Sequence, residues 1–152
     1  MAAAGDKGWA EHAMARLQEA GLRRGGARRA VVETLARHDC AVTAIEIEDE
    51  LRRRDAAVGR ASVYRALDQL EGLGLVQRFG NLARGTASYE RVDPGGHHHH
   101  HAICSICGRM EAFEDRALES AIGRIEGRIP FEISEHDVVL RGRCRRCVGP
   151  AA

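Results

Sequence analysis

Along the first half of the chain, apolar residues recur every three or four positions. Trp9, Ala13, Leu17 and Ala20 share one helical face, and Gly21 closes that segment. A second helix is expected over Ala27–Arg37, burying Ala30, Val31 and Leu35 and leaving Arg28, Arg29 and Arg37 to solvent. Thr43-Ala44-Ile45-Glu46 has the form of a capping box, in which a threonine and a glutamate satisfy each other's backbone N–H. It opens a third helix through about Arg53, with Ile47 and Leu51 on its inner face. In the next segment, Gly59–Leu70, the residues Val63, Leu67 and Leu70 form the apolar stripe. Arg60, Tyr64, Arg65 and Asp68 lie off it.

After Gly72 and Gly74 the pattern shortens. Leu75–Phe79 and Ala87–Val92 read as two strands joined by a Gly80–Gly85 turn that carries Asn81 and Arg84. The last three of these helices followed by a hairpin give the order of a winged helix-turn-helix. Asp93-Pro94-Gly95-Gly96 then breaks all periodicity. Beyond it, strands are expected over His98–Cys104, Arg109–Phe113 and Phe131–Leu140, with a helix over Ala117–Ile125 bearing Glu119. The expected fold is α+β: a winged helix-turn-helix domain over residues 1–93, a hinge at 94–96 and a small α/β domain over 97–152. Residues 1–8, rich in Ala and Gly, are expected to fray.

Composition adds constraints. The hydrophobic fraction of 44% suffices for a core, and 4% aromatic content makes it aliphatic. Charged residues reach 30% yet nearly cancel at +1, so any attraction to nucleic acid must be local. Arg16, Arg23, Arg24, Arg28, Arg29 and Arg37 make the early chain locally basic. No apolar run approaches the roughly 18–20 residues that cross a bilayer, and Met1–Lys7 lacks the features of a secretory signal. A soluble, cytoplasmic protein with no membrane partner is expected, in which cysteines serve as thiols or metal ligands.

The candidate chemistry is metal binding. Cys104-x-x-Cys107 and Cys144-x-x-Cys147 offer four thiolates, the donor set of a closed structural Zn(II) site. Two redox pairs or unligated thiols are the plainer alternatives. The run His97–His101 precedes the first pair directly. In an extended strand, His97, His99 and His101 would face one way and His98 and His100 the other, so one strand can feed two sites. A loose polar tract is the competing account of that run. Glu119 and His136 are the candidates to complete a mixed imidazole–carboxylate site. Tyr64 and Arg65 are the sharpest DNA candidates, because an amphipathic helix before a hairpin suits the major groove; an ordinary exposed polar helix face is the competing account.

Gly59–Leu75, the histidine run leading into Cys-x-x-Cys-Gly, and the closing Cys-x-x-Cys together resemble the ferric uptake regulator (Fur) superfamily over about Gly21–Cys147. The resemblance implies a homodimeric winged-helix repressor whose divalent metal closes it onto double-stranded operator DNA, with residues 97–152 as the dimerisation domain. By position, Cys104, Cys107, Cys144 and Cys147 resemble the family's structural zinc ligands. His98, His100, Glu119 and His136 resemble its dimerisation-domain site. Glu90, His99 and His101 resemble the interdomain regulatory site; Cys40 is a candidate further ligand, with a small buried thiol as the plainer and favoured account of it. Arg28, Arg60, Tyr64, Arg65 and Arg84 are the expected DNA contacts.

The regulatory site departs from the family pattern. Ala41 stands where iron-type members offer a histidine, with His38 and Cys40 adjacent. Gln77 and Val92 stand where actinobacterial zinc-type members carry Asp and Cys. The Asp93–Gly96 loop is two residues longer than in iron-type members, and Gly25-Gly26-Ala27 replaces a common proline. The histidine-rich run resembles zinc-uptake regulators more than iron regulators, so a second divalent ion, Zn(II) before Fe(II), is expected as regulatory ligand. An Fe(II)-responsive repressor and a metal-buffering zinc protein are the alternatives. A zinc deaminase would need the His-x-Glu signature, which is missing, so no enzyme is expected.

Overall fold

In the computed structural model, residues 5–22, 25–81, 86–93, 99–134 and 136–149 are described. Contacts divide the chain into two units, Met1–His98 and His99–Ala152.

The first unit runs α1 (Gly5–Glu19), α2 (Gly26–Leu35), β1 (Val42–Thr43), α3 (Ala44–Arg53), α4 (Arg60–Gly72), β2 (Val76–Asn81) and β3 (Thr86–Arg91). The helical stripes read from the sequence meet in one core. Trp9, Ala13 and Leu17 pack with Val31, Val32, Leu35, Ile47, Leu51, Val63, Leu67, Leu70 and Tyr89. Such aliphatic burial supplies most of a small domain's stability, at about 25 cal/mol per Å² removed from water. The capping box forms as expected: Glu46 N–H donates to Thr43 Oγ1 at 3.2 Å, and Thr43 N–H donates to Glu46 Oε2 at 2.8 Å. Gly74, at φ +67°, turns α4 into β2, a left-handed conformation that favours glycine.

The antiparallel sheet has the order β1-β3-β2. Its third strand, β1, was not expected; a two-residue strand that doubles as the cap of α3 carries no periodicity to read. The β2–β3 register pairs Val76 with Arg91 through Asn81 with Thr86. Trp9 Nε1–H donates to the Val92 carbonyl at 3.0 Å, tying α1 to the end of the wing.

The second unit runs β4 (His100–Cys104), β5 (Met110–Phe113), α5 (Arg116–Glu126), β6 (Val139–Gly142) and the single turn α6 (Arg145–Val148). Strand β4 is central, with β5 antiparallel and β6 parallel to it. The expected strand over Phe131–Leu140 is corrected: only its last two residues join β6, which starts at Val139. The ladder with β4 spans His101↔Val139 to Cys104↔Gly142, and the His101 N–H also reaches the Val138 carbonyl at 3.1 Å. Further upstream the backbone turns to α5 instead, where the Ile133 N–H donates to Glu126 Oε1 at 3.4 Å. Helix α5 is capped by Asp115, whose side chain accepts from the Leu118 N–H at 2.8 Å. Its apolar residues Leu118, Ala121, Ile122 and Ile125 fall at helical spacing, yet none is buried. Among the described residues, no helix is long and apolar enough to cross a membrane.

Candidate metal centres

Two turns bring the cysteines together. In the first, Gly108 N–H donates to the Cys104 carbonyl at 2.9 Å, and Gly108 has φ +74°, which closes the loop tightly. In the second, Cys144 precedes α6, and the Cys147 N–H returns to its carbonyl at 2.8 Å. Register between β4 and β6 then carries Cys144 to Cys104. All four Sγ atoms lie within 4.8 Å of one another, with Cys107 and Cys144 at 3.7 Å. Four sulfurs about 2.3 Å from a central zinc are spaced about 3.8 Å apart, so the donor set fits tetrahedral zinc.

Local electrostatics point the same way. The Cys107 and Cys144 N–H groups donate to Cys104 Sγ and pull its thiol down to about 5. Hydrogen bonding to Cys144 and then to Cys107, together with burial, pushes Cys147 up to about 12. Four thiols in one knuckle cannot ionise together unless a cation offsets their mutual repulsion.

A second cluster lies in the same unit. His100 Nε2 is 2.6 Å from Glu119 Oε1, and His136 Nε2 is 3.1 Å from Glu119 Oε2. His100 is fully buried, with its ring 5.5 Å from those of Phe113 and His136. Glu119 sits in the first turn of α5, and His136 in the segment that leads to β6. Two imidazoles and one carboxylate suit a borderline divalent ion. His98, the expected fourth member, lies outside the described residues, as does the expected hinge at 94–96.

The remaining expected ligands fall into two pairs, one in each unit. In the first unit, Cys40 Sγ and a carboxylate oxygen of Glu90 lie within 4.8 Å of each other, with Glu90 buried on β3. In the second, ring nitrogens of His99 and His101 lie within 4.8 Å, and their rings meet edge-on at 4.9 Å. His99 and His101 thus share a side of the strand, while His100 turns to Glu119.

Among the candidate DNA contacts, Tyr64 and Arg65 are exposed on α4, opposite its buried face of Val63, Ala66, Leu67 and Leu70. Arg28 is half-buried and donates through Nε to Gln69 Oε1, bracing α2 against α4. Arg60 donates through Nε to both carboxylate oxygens of Glu48, at 3.2 and 3.0 Å. Arg84 lies outside the described residues. Neither Glu48 nor Gln69 was singled out from the sequence. The one available signal was a glutamate at an inner position of α3, between Ile47 and Leu51.

The family model described as "Ferric uptake regulator family" matches residues 19–141. The chain belongs to this family. The ferric uptake regulator family comprises metal-responsive transcriptional regulators, and the match includes α4, the wing, Cys104, Cys107, Glu119 and His136. It ends before Cys144 and Cys147, whose place beside the first pair rests on geometry.

A ferric uptake regulation protein of Shigella flexneri is 33% identical over 84% of this chain and 85% of its own length. A zinc uptake regulation protein of Mycobacterium tuberculosis is 31% identical over 86% of this chain and 98% of its own. For relatives from Bacillus subtilis and Legionella pneumophila the matched segment spans only 66% and 64% of their lengths. Among solved structures, the Vibrio cholerae ferric uptake regulator superposes with TM-score 0.74 at 29% identity, covering 84% of this chain and 96% of that one. The Helicobacter pylori ferric uptake regulator, at 24% identity, shares the fold over 97% of this chain and 96% of its own, with TM-score 0.82.

Proposed function

We propose that this chain is a metal-dependent transcriptional repressor that binds double-stranded operator DNA as a homodimer, with Zn(II) as the regulatory ion and metal-uptake genes under its control. One observation carries the reading. Strand β4 begins with His100 of the His–Glu–His cluster and ends with Cys104 of the thiol cluster. A single short strand therefore joins a closed, stabilising centre to an exchangeable one.

In this reading Cys104, Cys107, Cys144 and Cys147 hold structural zinc, which stabilises the unit and offers no open position for chemistry. His100, Glu119 and His136, with His98, hold a second ion. Glu90, His99 and His101, with Cys40, form the interdomain regulatory site. Such a site responds to metal because closure assembles its ligands and opening separates them. Converting a mostly open population to a mostly closed one takes about 5.5 kcal/mol of differential affinity.

Tyr64, Arg65 and Arg28 on the helices and Arg84 on the wing are the proposed DNA contacts, joined by Arg60. Pairing with a second copy is supported by the apolar face of α5 and by Phe131 and Leu140, which are 70% and 54% exposed in the single chain. The Cys40 thiol in the regulatory set favours zinc, as does likeness to a relative named for zinc uptake. Fe(II) is the second reading, supported by the nitrogen–oxygen set at His100, Glu119 and His136 and by the relatives named for ferric uptake.

The test selects duplexes from a random library with metal-loaded protein, then titrates binding against buffered Zn(II), Fe(II), Mn(II) and Ni(II). Zn(II) is expected to induce tight binding at the lowest free concentration. Activation by Fe(II) at lower free concentration would move the assignment to the second reading. A metal-independent affinity would overturn the regulatory proposal.

A further inference from the structure

Helix α3 buries Ala44, Ile47 and Leu51, and with them a charged residue, Glu48, which is 7% exposed. A buried carboxylate is costly unless paired, and even a paired one is weak evidence of a gain in stability. Its partner is Arg60, the first residue of α4. The contact is unusual in form. One Nε–H is shared between both carboxylate oxygens, at 3.0 and 3.2 Å, while the Arg60 side chain is 70% exposed. Among the described residues, the two Nη groups of Arg60 have no hydrogen-bond acceptor. The guanidinium is therefore held by one edge and open along the other.

That open edge matches the geometry of a phosphate, which takes two parallel N–H donors from an arginine. The pin also decides which part of a duplex Arg60 can reach. In helix-turn-helix docking the first helix of the motif crosses the DNA backbone, while the second lies in the major groove. Arg60 opens the second helix, whose N-terminal residues reach base edges in such docking, but its fastening to Glu48 draws the guanidinium toward the first helix, the one that crosses the backbone. Tyr64 and Arg65, one turn on along α4 and exposed, have no such tether to α3.

We propose that Glu48 is a positioning residue for DNA binding, which holds Arg60 by Nε so that its Nη edge takes a backbone phosphate. The proposal rests on the reading of the chain as a DNA-binding regulator. The carboxylate preselects one rotamer of a long side chain, so less freedom is lost when the phosphate is engaged. A phosphate contact fixes the register of α4 in the groove and carries no sequence information itself.

The experiment uses the full-length, metal-loaded protein and duplexes enriched by the wild type from a random library. Affinity is measured as a function of salt for wild type, Glu48→Gln, Arg60→Ala and the double variant, with zinc content and thermal midpoint recorded for each. Loss of one phosphate contact lowers the slope of log K against log salt by about 1. Arg60→Ala is expected to show that decrease and to weaken binding to all enriched duplexes alike. Glu48→Gln is expected to weaken binding several-fold when Arg60 is present, and to leave it unchanged or improved when Arg60 is absent. A merely structural Glu48 would instead weaken binding in both backgrounds, which overturns the positioning role. An unchanged salt slope in Arg60→Ala, or relaxed base preference at one position, overturns the phosphate assignment. Should either of those variants fail to fold, Arg60→Lys supplies the reading: it keeps the charge but loses the Nε anchor, and affinity equal to wild type overturns the proposal. Failure of the wild type to enrich any duplex would overturn the DNA-binding reading itself, an outcome distinct from all of these.

Discussion

Removing zinc is expected to unfold the second unit while the first stays folded. Among the described residues of His99–Ala152 the buried apolar side chains are Ile103 and Cys104, and Cys104 is itself a proposed ligand. Burying one isoleucine is worth about 2–3 kcal/mol, whereas a structural zinc in a small metal-bound domain is worth about 10–16 kcal/mol at neutral pH. Metal binding is thus several times larger than the burial of that one aliphatic side chain, and the unit's other apolar residues, such as Phe113, Leu118, Ile122 and Val139, are at most partly buried. The first unit contrasts with it, since Leu17, Val31, Leu35, Ile47, Val63, Leu67 and Leu70 are all nearly inaccessible and none depends on a metal. The perturbation is Cys144→Ser, alongside a chelator titration of the wild type. The assay is hydrogen exchange resolved by peptide, with zinc content measured in parallel. Amides of β4 and β6 should lose protection as zinc is lost, while those of α2, α3 and α4 keep theirs. Undiminished protection in β4 and β6 at zero zinc would show that the sheet stands without the ion.

Three further predictions use other parts of the molecule. His99→Ala or His101→Ala should abolish the metal response of DNA binding while leaving a dimer with full structural zinc; a gel-shift titration that retains the wild-type metal response would reject the regulatory role. Arg65→Ala should weaken binding to enriched duplexes by roughly 5- to 150-fold, given about 1–3 kcal/mol for a base-edge contact, at unchanged zinc content. Thr43→Ala removes the side-chain half of the capping box, the Oγ1 acceptor of the Glu46 N–H, and leaves the backbone N–H that donates to Glu46 Oε2; it should cost about 1 kcal/mol, read as a fall of several degrees in the melting of the first unit, and an unchanged melting point would show that the side-chain cap contributes nothing there.

The residues themselves determined much of this protein. Helical spacing marked Trp9–Leu17, Val31–Leu35 and Val63–Leu70, because a 3.6-residue repeat buries one stripe whatever it packs against. Thr43 and Glu46 announced the start of α3, since a capping box is closed by residues three apart. The two Cys-x-x-Cys pairs pointed to a four-thiol cluster through donor type and spacing, and the fold brings the four sulfurs together. Tertiary structure decided what depends on distance across the chain. His100 meets Glu119, 19 residues on, because α5 and the approach to β6 converge on one side of β4, and no local pattern encodes that meeting. The start of β6 at Val139 was set by what the upstream backbone meets, the Glu126 carboxylate on α5, and not by the alternation of its own residues. Arg60 and Arg28 show the same division. From the sequence both are cations on a polar helix face; in the fold, Glu48 and Gln69 each claim one edge of a guanidinium. Only packing brings those partners within reach, since hydrogen bonds act over about 3 Å and the sequence records no such distances.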